Sequence, residues 1–404
     1  MSVKDLLRAH GQPKYEVYFD LENSGFVPDE VVEAMIPYFN RVGYGNPAIT
    51  HKVGWEALDV ILETKELLAK TIGADPEEIV FTHSGTEANN LAIRGFALAN
   101  NIRGKKIVTS LIEHGSVLFT VKSLGEDFGA KTLFVPIDEE GFIDPEIFAT
   151  YLDRETAFVS IQMVNHEIGT IQNIRELVEV ARDANPDIVF HTDAADAYGR
   201  LRINVDELGV DMLTISGHKI HGPRGVGALY VRKGIKLKPI IYGQLSAEKL
   251  WPGVENIPLI AGFKKAIELA FEHFDDHIAH IRRLRDRLME GILSTVPHTL
   301  LNGPRGEKRV ADNLNVSFLY VEGEAITVEL SMRGIYVSSG SACTSRYLEP
   351  SHVLLAIGRK HEEAHGSILF KVSRYHTDQD IKYALKNIPP AIERLRRISS
   401  WKPE

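Results

Sequence analysis

The only cysteine of this 404-residue chain, Cys343, lies in the segment Ser338-Ser339-Gly340-Ser341-Ala342-Cys343-Thr344-Ser345. A lone thiol is often a small buried hydrophobe, but serine and glycine neighbours cannot form an apolar pocket around it. Such a segment is typical of an exposed loop from which a thiolate can reach a substrate. The residue types therefore predict a sulfur nucleophile on a movable loop.

A lysine and an aspartate follow two predicted strands. Lys219 comes just after the apolar run Met212–Ser216, and Asp193 comes just after Ile188–Thr192. Ligands of open α/β sheets bind at such strand ends. A lysine that forms a Schiff base and an aspartate that holds a pyridinium proton would suit pyridoxal phosphate. Taken alone, the pair would instead indicate a structural salt bridge.

Three further motifs follow neighbouring predicted strands. Around Gly85 and Thr86, small residues open a helix whose backbone amides could hold a phosphate, although a simple helix cap would look the same. His114 could stack on an aromatic cofactor or be a partly buried histidine. Asn165 could hydrogen-bond a cofactor hydroxyl or belong to a turn. Their shared location at consecutive strand ends indicates one site.

Composition narrows the class of protein. The net charge of −9 argues against nucleic-acid binding. No run approaches the roughly 18 apolar residues of a membrane span, so we expect no membrane association. One cysteine cannot form an intramolecular disulfide, and the first residues lack a signal-peptide core, so we expect a cytoplasmic protein. The histidines show no metal-ligand spacing, and no metal site is expected.

The order of predicted elements indicates an α/β fold. Short β-branched runs alternate with helical patterns between about residues 28 and 265, as in a mainly parallel seven-stranded sheet with crossover helices. We expect residues 21–265 to form this large domain, and residues 1–20 and 266–404 to form a smaller α+β domain that carries the Cys343 loop. The predicted strands of the large domain are Glu78–Thr82, Lys106–Ser110, Thr132–Pro136, Ala157–Gln162, Ile188–Thr192, Met212–Ser216 and Gly227–Val231.

Helices are predicted between these strands and beyond them. A long amphipathic pattern from Gly262 to about Leu293 predicts one connecting helix. The cleft between the two domains is the expected place for catalysis. The other predicted elements are helices Glu87–Ala99, Gly115–Leu124, Arg175–Ala184, Gly323–Met332 and Asp378 to about Arg397, with strands Leu314–Tyr320, Ile335–Ser338 and Ile368–Ser373.

Taken together, these motifs resemble the class V aminotransferase group of pyridoxal phosphate enzymes, and within it the cysteine desulfurases with a Ser-Ser-Gly-Ser-Ala-Cys loop. The resemblance covers nearly the whole chain and implies a fold-type I transferase. It rests, in chain order, on Gly45-Asn46-Pro47 with His51, Thr86-Glu87, Glu113-His114, Asn165 with Glu167-Ile168-Gly169, Asp193, Ser216 to Lys219, Leu314 to Phe318, the Cys343 loop and Leu348 to Ser351.

The resemblance implies a role for each matching residue. Lys219 would form the Schiff base and later shuttle a proton, Asp193 would pair with the pyridine nitrogen, and His114 would stack on the ring. Cys343 would attack the sulfur of the substrate, keep it as a persulfide and leave alanine. The phosphate would be held by Gly85, Thr86, Ser216 and His218.

The chain also departs from the pattern of that family near the cofactor. Asp196 stands where the family has a glutamine next to the phenolic oxygen, and a carboxylate there would be repelled unless protonated. Trp251-Pro252-Gly253-Val254 replaces an Arg-Ser-Gly-Thr motif, so a threonine contact to the phosphate of a neighbouring subunit cannot form. Glu22 stands in an altered N-terminal turn and could bring negative charge near the substrate entrance.

The departure with most bearing on the substrate is Leu369, where the family has an arginine that clamps a carboxylate. Leucine cannot do so. Lys371, two residues on and on the same strand face, could act as a point charge instead, as could Arg374. Lys371 could equally be a solvated residue at a sheet edge.

The resemblance predicts a cysteine desulfurase that acts on L-cysteine and passes sulfur to an acceptor protein, for example in iron–sulfur cluster assembly, and it implies a homodimer. Two alternatives stay open. One is a divergent enzyme of the same group, either a selenocysteine or other C–S lyase or an aminotransferase. The other is a weakened homologue that serves as sulfur carrier or scaffold.

Overall fold

A computed structural model describes residues 13–243, 249–339 and 350–401. Its main sheet has seven strands in the spatial order β2-β8-β7-β6-β5-β3-β4. All its pairings are parallel except those of β8, which runs antiparallel to β2 and β7. The strands are β2 (Ile79–Thr82), β3 (Lys106–Ser110), β4 (Lys131–Val135), β5 (Thr156–Ser160), β6 (Val189–Asp193), β7 (Met212–Ser216) and β8 (Gly227–Val231).

Helices cover both faces of this sheet. Side chains alternate between the faces along each strand, so Ile79 and Phe81 enter one apolar core while Val80 enters another. Helices Gly85–Ala99 and Gly115–Phe128 pack on the face of Val80. The opposite face is covered by Lys52–Ile72, Ile174–Ala184 and Ile257–Phe271. Burial on both faces explains why the strands are almost continuously apolar.

A separate core lies under the remaining elements. Its sheet has three antiparallel strands, and a two-stranded parallel pair lies in the same core. Helices Phe274–Thr295, Gly323–Ser331 and Asp378–Ile398 contribute apolar side chains to it. The strands are β1 (Val17–Tyr18) with β11 (Ile335–Tyr336), and β9 (Thr299–Asn302), β10 (Asn313–Phe318) and β12 (Ser367–Lys371).

The predicted fold class is confirmed, with differences in detail. The single connecting helix expected from Gly262 to Leu293 is wrong, because the chain forms two helices, Ile257–Phe271 and Phe274–Thr295, separated at residues 272–273. The proposed domain boundary at residue 265 falls inside the first of them. We keep the two-domain division as a proposal, supported by the separate cores.

The shorter helices of the described residues connect or flank these layers. They are Asp29–Met35, Pro37–Asn40, Pro145–Thr150, Val205–Leu208, His352–Ala356 and His361–His365. Across the part of the chain that the structure describes, no helix combines the length and the apolar character needed to cross a membrane.

Candidate active site

A cavity of about 580 Å³ opens at the strand ends of the main sheet and reaches the second core. Its wall includes the ends of β6 and β7, the starts of two helices and Leu369 of β12. The residues that were predicted to bind the cofactor and lie on this wall are Gly85, Thr86, His114, Asp193, Asp196, Ser216, His218 and Lys219. Glu22 and Leu369 border the same cavity, so the fold brings residues from distant parts of the chain into one site.

One end of the cavity is formed by the start of helix Gly85–Ala99. Ser84 caps this helix by accepting a hydrogen bond from the amide of Glu87 at 3.1 Å. Gly85 lies close to β7, because an added Cβ would come within 3.1 Å of Ser216 Cβ. Free backbone amides at a helix start carry partial positive charge. With the hydroxyls of Thr86 and Ser216, they form a suitable cradle for a phosphate.

A chain of hydrogen bonds connects Asp193 to His114. The Nδ2 of Asn89 donates to Asp193 Oδ2 at 2.7 Å and to Ser116 Oγ at 2.8 Å. Ser116 Oγ in turn lies 2.7 Å from His114 Nδ1, which also accepts from the Ser116 amide. Because Nδ1 is an acceptor, the proton of the neutral imidazole resides on Nε2. The chain fixes the orientation of both side chains.

Asp193 lies at the end of β6 and is buried. Its Oδ1 accepts a hydrogen bond from the amide of Ala195 at 3.0 Å. Burial raises the pKa of Asp193, and His114, the Ala195 amide and Asn89 partly oppose that shift. A buried carboxylate at this position can accept a hydrogen bond from a protonated ring nitrogen.

Lys219 lies in a short 3₁₀ turn, Gly217–Ile220, that follows β7 directly. Its ammonium group donates to Glu22 Oε1 and, at 3.0 Å, to Asp196 Oδ2. The guanidinium of Arg200 donates to the Lys219 carbonyl at 2.9 Å and thereby holds the turn. Burial lowers the pKa of Lys219, but Asp196 and Glu22 outweigh it and raise the pKa above its usual value.

A second lysine completes a buried cluster of charges around Lys219. Lys371 Nζ donates to Asp196 Oδ1 at 2.9 Å and lies 3.3 Å from Glu22 Oε2. It also lies 3.7 Å from Asp312, which pairs with Arg200. The suggestion that Lys371 is a solvated edge residue is wrong, because its side chain is only 1% exposed.

These charges set the protonation of Asp196. Burial raises its pKa, but Lys219, Lys371 and Arg200 hold the pKa well below the usual value. Asp196 is therefore a carboxylate whose charge two ammonium groups compensate, and this compensation reduces the repulsion expected between an unprotonated Asp196 and the phenolic oxygen. Glu22 lies on the wall beside Lys219, inside the cavity, and burial followed by the proximity of Asp196 raises its pKa.

Asn165 does not line the cavity, although its neighbours Val164 and His166 do. It is fully buried, its Oδ1 accepts from the amides of Glu167 and Ile168, and its Nδ2 donates to the Ile112 carbonyl. The side-chain oxygen thus stabilises the turn after β5, as in the alternative given for the sequence, and the nitrogen ties this turn to the loop after β3. Gln162 lines the cavity instead.

Cys343 lies outside the described residues. The residues that flank its segment are described and lie on the cavity wall: Ser338 and Ser339 before it, Ser351 and His352 after it. Ser351 Oγ donates to Glu167 Oε2 at 2.5 Å, and His352 Nε2 lies 3.0 Å from the Glu113 carbonyl. Both ends of the segment are therefore anchored at the cavity.

The residues present fit pyridoxal phosphate. The cavity combines a phosphate cradle, a buried carboxylate and a lysine, which are the three protein groups that this cofactor requires. Asn89 and His218, both on the wall, also keep one buried side-chain atom without a hydrogen-bond partner among the described residues. Buried polar atoms of this kind call for a ligand or water. Burial, followed by Lys219, lowers the pKa of His218 to about 4, so the imidazole is neutral.

No role was predicted from the sequence for Asn89 and Ser116, which lie within the first five residues of their helices. Their short distance from the strand ends was the available signal. Glu22 and Lys371 were noted, but the ion pairs that they form were not predicted. These contacts depend on how the N-terminal segment and β12 meet the main sheet.

Comparison with known proteins agrees with this arrangement. Residues 17–383 match the family described as Aminotransferase class-V. The chain is 46% identical to the cysteine desulfurase IscS of Dictyoglomus turgidum over 391 residues, which covers 97% of this chain and 98% of that protein.

Two solved structures show the same likeness. A NifS-like protein superposes with a TM-score of 0.87 at 33% identity, covering 94% of this chain and 100% of that one. SspA in complex with cysteine superposes with a TM-score of 0.78 at 34% identity, covering 90% of this chain and 100% of that one. The chain therefore belongs to the class-V aminotransferase family and, within it, to the cysteine desulfurases, which are pyridoxal phosphate enzymes.

Proposed function

We propose that this protein is a pyridoxal-phosphate-dependent cysteine desulfurase that converts L-cysteine to L-alanine and keeps the sulfur as a persulfide on Cys343. The observation that carries the proposal is the single cavity in which Lys219, Asp193 and the start of helix Gly85–Ala99 meet the anchored ends of the Cys343 segment. Family membership supports the same activity.

The sulfur step balances without an external oxidant. The Cys343 thiolate attacks the sulfur of the substrate, an S–S bond forms, and the C–S bond breaks. The electron pair of that bond remains on the substrate carbon, which takes up a proton to become the methyl group of alanine. Bound pyridoxal phosphate supplies the electron sink for this chemistry.

Residues of the chain would bind the cofactor and transfer protons. Lys219 would hold the cofactor and, when released, would carry a proton at Nζ. Asp193 would stabilise a proton on the ring nitrogen, and His114, oriented by Ser116, would lie beside the ring. The phosphate group is held by Gly85, Thr86, Ser216 and His218. We retain Asn165 only as a residue that shapes the turn, because its side chain is fully engaged with backbone groups.

We further propose a homodimer. Apolar side chains of the N-terminal helices and loops are exposed, among them Phe39 at 64% and Trp55 at 55%. Exposed apolar groups that cluster in this way mark protein interaction sites. Ile36, Tyr44 and Ile49 belong to the same stretch of chain and are exposed as well. A second copy would cover them.

Sulfur on Cys343 would pass to an acceptor protein, and iron–sulfur cluster assembly is the process we propose for it. The similarity to a protein named IscS supports this assignment. We propose a cytoplasmic location because the chain has a single cysteine whose chemistry requires a reduced thiol.

The activity is tested by reconstituting the protein with pyridoxal phosphate and supplying L-cysteine with a reductant. We expect alanine and sulfide in equal amounts. Lys219→Ala should lose the covalent cofactor and both products, whereas Cys343→Ala should keep the cofactor and lose sulfide release. An unchanged rate in Cys343→Ala would contradict the role of this cysteine.

A further inference from the structure

The cavity wall next to the lysine turn is apolar at Leu369. This residue lies on β12, is 2% exposed and borders the cavity. Its backbone amide donates to the Ser338 carbonyl at 2.8 Å, which fixes the side chain at the base of the Cys343 segment. A leucine cannot donate a hydrogen bond, so a substrate carboxylate finds no partner at this position.

The cations of the site are already bound to carboxylates. Among the described residues on the wall, Lys219 is the only lysine or arginine, and it is held by Glu22 and Asp196. Lys371 lies behind those carboxylates and contacts both of them. If Lys371 turned to a substrate carboxylate, it would leave Asp196 and Glu22 with less compensation in a buried place, which is costly.

Arg374 does not fill this role either. Its guanidinium lies over the ring of Tyr375 at 4.8 Å and donates to the Tyr375 hydroxyl at 3.1 Å. Arg374 is absent from the described part of the cavity wall.

The carboxylates of the wall favour the opposite charge. Glu22 and Asp196 border the cavity and both contact the Lys219 ammonium. When Lys219 turns from these carboxylates to hold the cofactor, Lys371 is the ammonium group that still contacts both of them. At low dielectric, a substrate carboxylate brought beside them is then repelled, and a substrate ammonium is attracted. An incoming amine group placed where the Lys219 ammonium now lies would contact the same two carboxylates, Glu22 and Asp196.

We infer that the described wall recognises its substrate through the amine group and that a free α-carboxylate is not required; the thiol of a 2-aminothiol substrate follows from the proposed function. The substrate class then includes L-cysteine and also cysteine whose carboxyl group is an amide or ester. The inference rests on the proposed desulfurase function. It concerns the described wall only. Arg346 lies outside the described residues, and the test therefore includes it.

The test compares L-cysteine with L-cysteinamide, which differ in the charge of one group. The cofactor-loaded Cys343→Ala variant binds without sulfur transfer, so absorbance titration at constant pH gives a Kd for each compound. The active enzyme gives kcat/KM from sulfide release. We expect the two compounds to differ by no more than about tenfold in either quantity, since no charge-assisted bond to the carboxylate is lost.

Substitution of Leu369 provides the matched comparison. Leu369→Arg should shift the preference toward L-cysteine by about tenfold or more, because a guanidinium binds a carboxylate with two hydrogen bonds. Leu369→Met keeps the apolar wall and should leave the preference unchanged. The comparison of the two compounds in the unsubstituted enzyme remains a test even if the arginine variant does not fold.

A preference for L-cysteine above about 100-fold, equivalent to the loss of a strong ionic contact, would overturn the inference. If that preference vanished in Arg346→Ala, the carboxylate site would lie in the undescribed segment and the inference would equally be overturned. Release of sulfide from neither compound would instead contradict the proposed function, whereas the ratio of the two Kd values would still test the inference.

Discussion

The buried charges around Lys219 distinguish this site at the residue scale. Glu22, Asp196 and Asp312 are balanced by Lys219, Lys371 and Arg200 within one connected set of ion pairs. Taking charges out of water is costly, so such a set is stable only while the numbers of positive and negative groups match. Each member therefore depends on its partners.

This dependence predicts a strong coupling between Lys371 and Asp196. Lys371→Met alone leaves an uncompensated buried carboxylate and should destabilise the protein by about 3–5 kcal/mol. Addition of Asp196→Asn removes that charge, so the double variant should be more stable than Lys371→Met by about 1–3 kcal/mol. Urea unfolding of the cofactor-free protein measures both differences.

An exposed pair provides the control. Arg175 and Glu179 form an ion pair at 3.0 Å, with side chains 68% and 63% exposed. The matched substitutions Arg175→Met and Glu179→Gln should have small and additive effects, because solvent screens exposed charges. Additive effects at Lys371 and Asp196 would show that their ion pair does not hold the cluster together.

Glu113 makes stability depend on pH. Burial raises its pKa to about 8 from a usual value of 4.5, and the Ser110 hydroxyl and Gln162 amide only partly oppose the shift. The pKa of Glu113 is higher in the folded protein than in the unfolded chain, so the folded protein binds its proton more tightly. The contribution of Glu113 to stability is therefore complete below about pH 4.5, and it is lost as the pH rises to about 8.

Glu113→Gln should remove this loss, because the amide does not titrate. Between about pH 7 and 8, the free energy of unfolding should fall with pH less steeply in the variant than in the unsubstituted protein. The difference between the two slopes should be up to about 1.4 kcal/mol per pH unit. Urea unfolding at several pH values measures the slope. Glu167, whose pKa burial also raises to about 8, should retain its own contribution in the variant. Equal slopes in both proteins would contradict a neutral Glu113.

At the scale of elements, the phosphate cradle depends on how closely β8 approaches the start of helix Gly85–Ala99. Gly227 of β8 pairs with Thr82 and with Ser216, on either side of the cradle. An added Cβ at Gly227 would come within 2.7 Å of the Ser84 carbonyl carbon and 3.0 Å of the Gly85 nitrogen. Contacts this short must displace the helix start.

Gly227→Ala should therefore weaken cofactor binding. Overpacking costs about 1–3 kcal/mol, and if that cost falls on the bound state the Kd for pyridoxal phosphate should rise roughly tenfold. Absorbance titration of the cofactor-free protein measures the change. Gly125→Ala is the control, since the nearest atom outside its own helix, the Ala130 carbonyl oxygen, would lie 3.6 Å from its Cβ. Equal affinities in the two variants would contradict this account of the cradle.

The strands were predictable because burial on both faces demands continuous apolar runs. Lys106–Ser110, Met212–Ser216 and Gly227–Val231 agree with the prediction at both ends. Helix Lys52–Ile72 was missed, although Gly73 in a left-handed conformation ends it and His51 caps its start. Histidine is an unusual cap, and the signal at that end is therefore weak.

The site was predictable where residues follow strands, and less so where chain segments meet. Lys219, Asp193 and His114 follow parallel strands, so the sheet alone brings them together. Lys371 reaches Asp196 from a different sheet, and β12 must pair with β10 in one register for this to occur. Sequence spacing carries no information about such a contact between sheets.

At the scale of the whole molecule, the exposed apolar residues between Ile36 and Trp55 predict a dimer. Sedimentation should give twice the chain mass of 45.1 kDa. Phe39→Glu with Trp55→Glu should produce monomers, because charge is unfavourable in an apolar interface. Ile398→Glu, at a residue that is 77% exposed on the C-terminal helix, is the control and should remain dimeric. If the double variant still sedimented as a dimer, Phe39 and Trp55 would not lie in the interface.

The position of the cavity between two cores is the basis of the functional account. The strand ends of the main sheet position Asp193 and Lys219, β12 of the second sheet contributes Leu369, and Ser339 and Ser351 beside the Cys343 segment lie on the same wall. We expect sulfur to move from a substrate in this cavity to Cys343, because the described residues on both sides of its segment lie on the wall.

The most direct test is a single turnover without reductant. The enzyme loaded with pyridoxal phosphate is mixed with less than one equivalent of L-cysteine, and the protein is examined by peptide mass spectrometry while alanine is quantified. We predict one added sulfur atom on the Cys343 peptide for each alanine formed. Alanine formed with an unmodified Cys343, or no alanine from a fully loaded enzyme, would contradict the assignment.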